Sequence, residues 1–458
     1  MLEKGNIVEC EVESLAFGGR GVARVHGMAV FIEGALPGDT VEAEIVRAKK
    51  RFAEGVTRSV LKPSPHRTEP RCPHFGECGG CSLQHLDYAQ QLAQKSDQVR
   101  DALVRIGGAD PSVMLAPAGS PEIWNYRNKM EFAFQGTGKS LRVGLRRAVR
   151  SGDPERADVL DIRECFLCSP DAMKLLRAVR RFCRESRVPA FDPRTGKGYW
   201  RHLVVRHTAT GECMVHLITA ADPRLHARAE ELGGKLRKDF PGLTSFVHSS
   251  RKSRRTLAFG ERVQNVQGRD SIEERLGQTR YRISANAFFQ TNTAGAEILF
   301  DTVREMAGLK GDESLLDLYC GTGGIGLFLS QGVRKVTGYE LSPESVEDAR
   351  ANAALNHSEN CEFHAGSLES GLPGLADMAR PDVIVTDPPR SGMHQEIAEA
   401  VLKLAPPRIV AVACDPATLA RDVKRLAPAY ELRAARAVDM FPHTTHIEAV
   451  ALLERTSK

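Results

Sequence analysis

The sequence predicts a multidomain chain: a small N-terminal β-barrel, an α+β middle, and a C-terminal Rossmann-like α/β unit. Three observations predict it. Short β-like runs broken by glycine turns fill residues 1–61, strands and helices mix over 62–282, and strand, glycine turn and helix alternate over 283–458. At 458 residues the chain also exceeds what one hydrophobic core organises.

The first 60 residues hold the runs NIVECEVESLAF, GMAVFIEGAL and DTVEAEIVRAKKRFAEGVTRSVL, with turns at Gly18-Gly19-Arg20-Gly21, Gly27 and Pro37-Gly38-Asp39. About five such strands with glycine at the corners read as a closed, OB-like barrel, a shape that offers an oligonucleotide-binding face. A Pro-rich connector leads into RCPHFGECGGCSLQHL, where Cys72, Cys78 and Cys81 sit in a C-x5-C-x2-C spacing. Three thiolates leave a tetrahedral metal site one ligand short, so a fourth must come from elsewhere. LDYAQQLAQKSDQVRDALVRIG then has helical apolar spacing and ends in Gly-Gly, a helix with its stop signal. Further on, WNYRNKMEFAFQ and LRVGLRRA read as strands, DAMKLLRAVRRFCRES as a helix, and HLVVRHTATGECMVHLIT as a hairpin.

Composition excludes several classes. With 42% hydrophobic, 26% charged and 6% aromatic residues, the chain is of ordinary globular type. No apolar run approaches the roughly 20 residues that cross a bilayer, so no membrane partner is expected. MLEKGNIVECEVESL lacks the apolar core of a secretion signal. The scattered Cys10, Cys183, Cys213 and Cys361 read as buried thiols of a monomeric protein in a reducing cytoplasm. The net charge of +5 hides an asymmetry: residues 136–282 carry 31 Lys and Arg against 17 Asp and Glu, whereas 283–458 carry 16 against 24. A basic middle beside an acidic C-terminal part points to a polyanion gripped by one part and processed by the other.

The C-terminal motifs carry chemistry. LLDLYCGTGGIGLFL is a buried strand, a glycine turn and a helix start, where backbone can approach a ligand closely. About 20 residues on, VTGYELS places Glu340 at the end of the next strand, where a carboxylate takes ribose hydroxyls. The form D-L-x-C-G-T-G favours S-adenosylmethionine (SAM) over a nicotinamide. DVIVTDPPRSG ends a strand at Asp387, fixed by two prolines, and the following Arg390 stands where amino-group methyltransferases have a stacking aromatic. VAVACDPATLARD sets Cys414 at a strand end beside the same crevice, and DMFPHTTHIEAVALL puts Glu448 near the start of an apolar strand. Methylating C5 of uracil needs a thiolate to add at C6, a base to remove the C5 proton, and a methyl donor. Cys414, Glu448 and the glycine loop meet that requirement.

DLYCGTGG, DPPRSG, CDPATLARD and FPHTTHIE stand in the order and at the spacing of the bacterial RNA (uracil-5-)-methyltransferases. Over nearly its whole length the sequence resembles their 23S ribosomal RNA type, which has an N-terminal TRAM barrel and a [4Fe-4S] cluster. The resemblance implies Cys414 as nucleophile, Glu448 as base, and SAM contacts from Gln290, Tyr319, Gly324, Glu340 and Asp387. It implies that Cys72, Cys78 and Cys81 join a fourth cysteine, Cys165 or Cys168 with Cys165 favoured, to hold the cluster as a structural element. It also implies RNA contacts from Arg127 and Lys129, and Phe289 stacking on the target base. Two positions depart from the family: Asp415 replaces the frequent Asn, and Ser367 stands near the Asn or Asp that holds the adenine.

Four alternatives stand beside this reading: zinc in place of the cluster, tRNA as substrate, cytosine-5 methylation, and a non-catalytic RNA-binding module. The cytosine enzymes often carry a Pro-Cys motif, which Cys414 lacks.

Overall fold

A computed structural model describes residues 2–149, 158–366 and 380–456; the position near Ser367 lies outside them. Alternating apolar residues build the barrel from β1 (Ile7–Leu15), β2 (Gly21–Val25), β3 (Met28–Glu33), β4 (Thr40–Ala48) and β5 (Phe52–Lys62). The strands close in the order β1-β2-β3-β5-β4, with Val12, Val30, Ile32, Val41 and Ile45 turned inward. At one end Leu15 and Leu36 pack on Leu83 and Leu86, which ties the barrel to the cysteine-bearing loop.

Helix α1 (Tyr88–Arg105) starts on an Asp87 cap whose side chain accepts from Gln90 N. The middle of the chain forms a seven-stranded sheet in the order β12-β11-β10-β9-β6-β7-β8. Its strands are β6 (Lys129–Gln135), β7 (Arg142–Arg146), β8 (Val159–Asp161), β9 (Trp200–His207), β10 (Cys213–Ala220), β11 (Leu243–Arg251) and β12 (Arg262–Gly268). Two helices, α2 (Pro170–Ser186) and α3 (His226–Asp239), cover one face through Leu175, Leu176, Val179, Leu232 and Leu236.

A hairpin of β13 (Ser271–Leu276) and β14 (Thr279–Ser284) and helix α4 (Thr293–Ala307) lead into a second seven-stranded sheet. It comprises β15 (Ser314–Leu318), β16 (Lys335–Glu340), β17 (Cys361–Ala365), β18 (Val383–Thr386), β19 (Arg408–Ala413), β20 (Tyr430–Val438) and β21 (Glu448–Arg455). Helices α5 (Gly324–Leu329), α6 (Pro343–Leu355), α7 (Gln395–Leu404) and α8 (Pro416–Leu426) connect them. The order β17-β16-β15-β18-β19-β21-β20 is parallel except for β21, so the direction of winding reverses between β15 and β18. Open α/β sheets take ligands at that reversal, beyond the carboxyl ends of the strands.

Core packing corrects the sequence boundaries. Residues 62–282 do not form one unit, because α1 buries Val99 and Leu103 against Ile384, Leu419 and Val423 of the C-terminal sheet layer. The segment after it is tied to β20 by isolated bridges from Met114 and Ala118. The β13–β14 hairpin, which straddles the 282/283 boundary, likewise packs Ile272, Leu276, Tyr281 and Ile283 into the C-terminal core. An amphipathic helix or hairpin settles where its apolar stripe finds cover, whatever its neighbours in sequence. Among the described residues no helix is long and apolar enough to cross a membrane.

Candidate active site

The motif residues gather at the carboxyl edge of the C-terminal sheet. Tyr319 follows β15 with φ 66, in the left-handed region, and begins the glycine turn. Gly321 and Gly323 continue it at φ 53 and 83, and a Cβ on Gly321 would meet open space. This is a cradle that a ligand can approach. Gly324 opens α5 and accepts a hydrogen bond from the Tyr281 hydroxyl (2.8 Å). Asp317, buried beneath the turn, accepts from Gly326 N at 2.9 Å, and burial pushes its pKa up to about 8. Glu340, at the end of β16, accepts from Gly321 N (3.2 Å) and Ser342 N (2.9 Å), which fixes its carboxylate beside the loop. Gln290 lies half-buried just before α4, its carbonyl held by Asn128 Nδ2 (2.9 Å).

Cys414 follows β19 and Glu448 begins β21. These strands run antiparallel with Ala413 opposite Ala449, so Cys414 and Glu448 face each other across the ladder. Asp387 follows β18 on the other side of β19. Three acidic groups thus crowd one edge. Burial, and then Glu448, pushes the Cys414 thiol up to about 11; Arg390 pulls it down. Burial holds the Glu448 carboxyl well above the carboxylate range, Asp387 adds to that, and Arg390 again opposes it. Burial alone lifts Asp387 to about 6. Arg390 is the cation common to Cys414 and Glu448, and its Nη2 donates to His446 Nδ1 at 2.8 Å. Burial and the nearby Arg390 hold His446 down at about 4, so its ring is a neutral acceptor. Sequence reasoning missed His446, although it stands two residues before Glu448 in FPHTTHIE.

The turn between β20 and β21 carries this histidine and aims Glu448, and three other parts of the chain hold it. From α1, Lys95 Nζ bonds Asp439 Oδ1 (2.7 Å) and the Phe441 carbonyl (3.0 Å), while Gln91 Oε1 accepts from His443 N (2.8 Å). From the cysteine loop, Ser82 N and Leu83 N donate to the His443 carbonyl at 2.9 and 3.0 Å. His443 sits at φ 65 with its ring stacked on Trp124, centroids 3.8 Å apart. From the barrel, Gly19 meets the turn so closely that a Cβ would lie 2.6 Å from Thr445 Cγ2.

Cys72, Cys78, Cys81 and Cys165 line one enclosed cavity, together with Phe75, Ile162 and Phe166. Cys168 does not line it; its Sγ lies 3.7 Å from the Cys165 carbonyl, in the core beneath. Burial pushes Cys78 up to about 11 and Cys81 up to about 12, whereas the Cys168 thiol, hydrogen-bonded to Cys165, draws Cys165 down to about 6. An all-sulfur donor set fits an iron–sulfur cluster or zinc. Among the described residues, no group of three or more His, Cys, Asp or Glu side chains is arranged to hold a metal ion.

The three residues expected to touch RNA are placed otherwise. Arg127 turns inward: its guanidinium lies beside the Tyr126 hydroxyl and the thiols of Cys81 and Cys165. Lys129 pairs with Glu131 at 2.6 Å with only 20% of its side chain exposed, and burial draws its pKa down. Phe289 cannot stack on a base, because it is buried against Tyr281 with ring centroids 5.4 Å apart. Adjacent residues in extended chain face opposite ways, and Phe288 is the aromatic that is 63% exposed.

Residues 207–456 match the family described as tRNA (Uracil-5-)-methyltransferase, and residues 2–57 match the TRAM domain. An uncharacterized RNA methyltransferase of Nitratidesulfovibrio vulgaris is 41% identical over 98% of this chain and 96% of its own length. One from Halalkalibacterium halodurans is 38% identical over 99% of this chain and 98% of its own. Among solved structures, the Pyrococcus abyssi tRNA (uracil-54, C5)-methyltransferase in complex with S-adenosyl-L-homocysteine is similar with a TM-score of 0.75 and 28% identity. That likeness covers 97% of this chain and 100% of the other. With a family match over more than half its length and relatives alike from end to end, the chain belongs to the tRNA (uracil-5-)-methyltransferase family of RNA-modifying enzymes, with a TRAM domain at its N-terminal end.

Proposed function

We propose that this enzyme transfers the methyl group of SAM to C5 of a uridine in RNA, with 23S ribosomal RNA as substrate. The reading rests on one observation above all: a lone thiol, Cys414, opposite a buried carboxyl, Glu448, with Arg390 as their shared cation. Cys414 sulfur bonds C6 of uracil, and the electron pair moves into the C5–C4 enolate system, which makes C5 nucleophilic. SAM supplies the electrophilic methyl. With the methyl on C5 and S-adenosylhomocysteine as the leaving group, Glu448 carboxylate then takes the C5 proton, the C6–S bond breaks, and the Cys414 thiolate is released. Burial raises the pKa of both groups in the free site, so each must ionise before it acts. Arg390 favours ionisation of both.

For SAM, Glu340 takes the ribose and the turn from Tyr319 to Gly324 accommodates the donor, with Gln290 and Asp387 completing the contacts. The extruded base stacks on Phe288, which takes the role first expected of Phe289. Cys72, Cys78, Cys81 and Cys165 would hold a [4Fe-4S] cluster, whose part is to cross-link the loop that bears on the His443 turn. The likeness to an archaeal tRNA enzyme favours tRNA as the second reading.

The test combines anaerobically purified protein and labelled SAM with protein-free 23S rRNA or bulk tRNA, both lacking 5-methyluridine. Nucleosides are read by mass spectrometry, with Cys414→Ala as control. Label in 5-methyluridine of rRNA, absent with the variant, is expected. Label in tRNA alone moves the substrate, and label in neither overturns the reading. Iron and sulfide bound at four per chain is the expected result for the cysteine cavity, and zinc in their place overturns the cluster.

A further inference from the structure

Arg127 and Lys129 are turned inward or paired, and the basic excess lies beyond them, in residues 136–282. The structure shows where it is displayed. On α2, Arg177 and Arg181 stand one helical turn apart on the exposed face, and neither makes an ion pair among the described residues. They line a groove with Arg180 and Arg184 and a second groove with Lys235 of α3. A third groove, lined by Arg142, Arg147 and Arg163, begins at His74 in the cysteine loop. Asp161 joins the first groove to the third, since it lines the third and pairs with Arg180 and Arg184 at 2.9 Å each.

Across the three grooves the arginines and lysines outnumber the lining carboxylates, Asp161, Glu164, Glu185 and Asp239, although Arg147 also pairs with Glu77 at 2.8 Å. Like charges are crowded there: burial lowers the Arg180 pKa, and Arg184, Arg177 and Arg163 lower it further. An unbalanced row of this kind is relieved by a polyanion, and guanidinium forks match phosphate oxygens in pairs. At 17 residues α2 is about 25 Å long, enough to follow several phosphates. The near end of the row adjoins the cysteine loop, whose Ser82 and Leu83 hold the turn of the candidate active site.

We infer that the exposed face of α2, continued by the Arg163 groove, is a second RNA-binding surface that holds phosphates of the substrate away from the target uridine. The inference deepens the uridine reading only in extending its RNA; binding, not methylation, is the readout, so the two fail separately. The probe is an unmodified 23S rRNA fragment, whose binding to wild type and to Arg177→Gln/Arg181→Gln is followed by anisotropy across a salt series. Each phosphate contact contributes about 0.7–0.9 to the slope of log K on log salt, so the double variant is expected to lower the slope by about 1.5 and weaken binding roughly tenfold near 0.1 M salt. Turnover at saturating RNA should stay as in wild type. Arg163→Gln, on the separate groove, should lower the slope by about half as much. Unchanged affinity and slope in both variants would overturn the inference. So would unchanged RNA binding together with lost retention on a polyglutamate resin, which would assign the face to an acidic protein.

Discussion

Two sets of cysteines bracket the same turn, and they differ in company rather than in burial. Cys414 is a single thiol at a sheet edge, faced by Glu448 and Asp387 and by the cation Arg390. Cys72, Cys78, Cys81 and Cys165 face chiefly one another in an apolar cavity, with Arg127 as the nearby cation. A thiol among titratable groups can exchange protons and electron pairs with a substrate. Thiols among thiols have only each other, and on ionising their shared negative charge would call for a cation to hold. On the proposed reading, the difference teaches that neighbours, more than depth, would separate a nucleophile from a ligand.

The sharpest way to break this comparison is at Glu448. Glu448→Gln should cut turnover by about 10²–10⁴-fold, and because Cys414 and methyl transfer are left intact, a methylated protein–RNA adduct should accumulate on denaturing gels. The same variant should melt at a higher temperature than wild type at pH 8. The sign follows from linkage: a carboxyl whose folded pKa is raised loses stability as pH climbs above the unfolded value, and Gln removes that loss. Adduct absent with Glu448→Gln would mean that another group takes the C5 proton.

Next in size is the joint between the two sites. Lys95 is buried and pairs with Asp439, so Lys95→Met leaves a carboxylate buried without its cation. The expected cost is about 3–5 kcal/mol, read as a fall in the urea midpoint. Gln91→Met removes the bonds to the His443 turn together with those to the Leu83 and Leu86 carbonyls, and should slow adduct resolution more than adduct formation. If both steps slow equally, the turn does not aim Glu448 in particular.

Arg390 tests the chemical side alone. Its removal in Arg390→Gln raises the pKa of both Cys414 and Glu448, so fewer sites are ionised at any given pH. The rising limb of kcat/KM should move to higher pH, and a limb displaced by about one pH unit lowers the rate at pH 8 about tenfold. A profile that does not move would take Arg390 out of the ionisation of either group.

Much of this was legible in the sequence for a physical reason. Cys414 and Asp387 follow, and Glu340 ends, strands whose apolar runs are unmistakable, and parallel strands of one sheet bring their carboxyl ends to one edge by topology alone. Glu448 joined them because β21 runs the other way, which an apolar run cannot announce. What sequence could not give was long-range pairing. Gln91 and Lys95 read as polar positions of an amphipathic helix, yet they are buried, since their partners stand more than 340 residues away. Lys129 likewise reads as a free cation until Glu131, two residues on and on the same side of the strand, is seen to neutralise it.

Phe288 and Phe289 carry the smallest effect and the same lesson at the scale of one residue. FFQTN offers two rings and no periodicity to choose between them; the choice falls to Tyr281, whose ring closes over Phe289 and leaves Phe288 in solvent. Base–aromatic stacking contributes about 1–3 kcal/mol, so Phe288→Ala should raise KM for RNA roughly tenfold with little change in kcat or melting temperature. Phe289→Ala should do the reverse, lowering stability by about 3–5 kcal/mol through the cavity it leaves while folded enzyme keeps its KM. Were the two variants to exchange these signatures, the extruded base would have to stack from the core side of the segment, and the mouth of the site would have to open elsewhere than at Phe288.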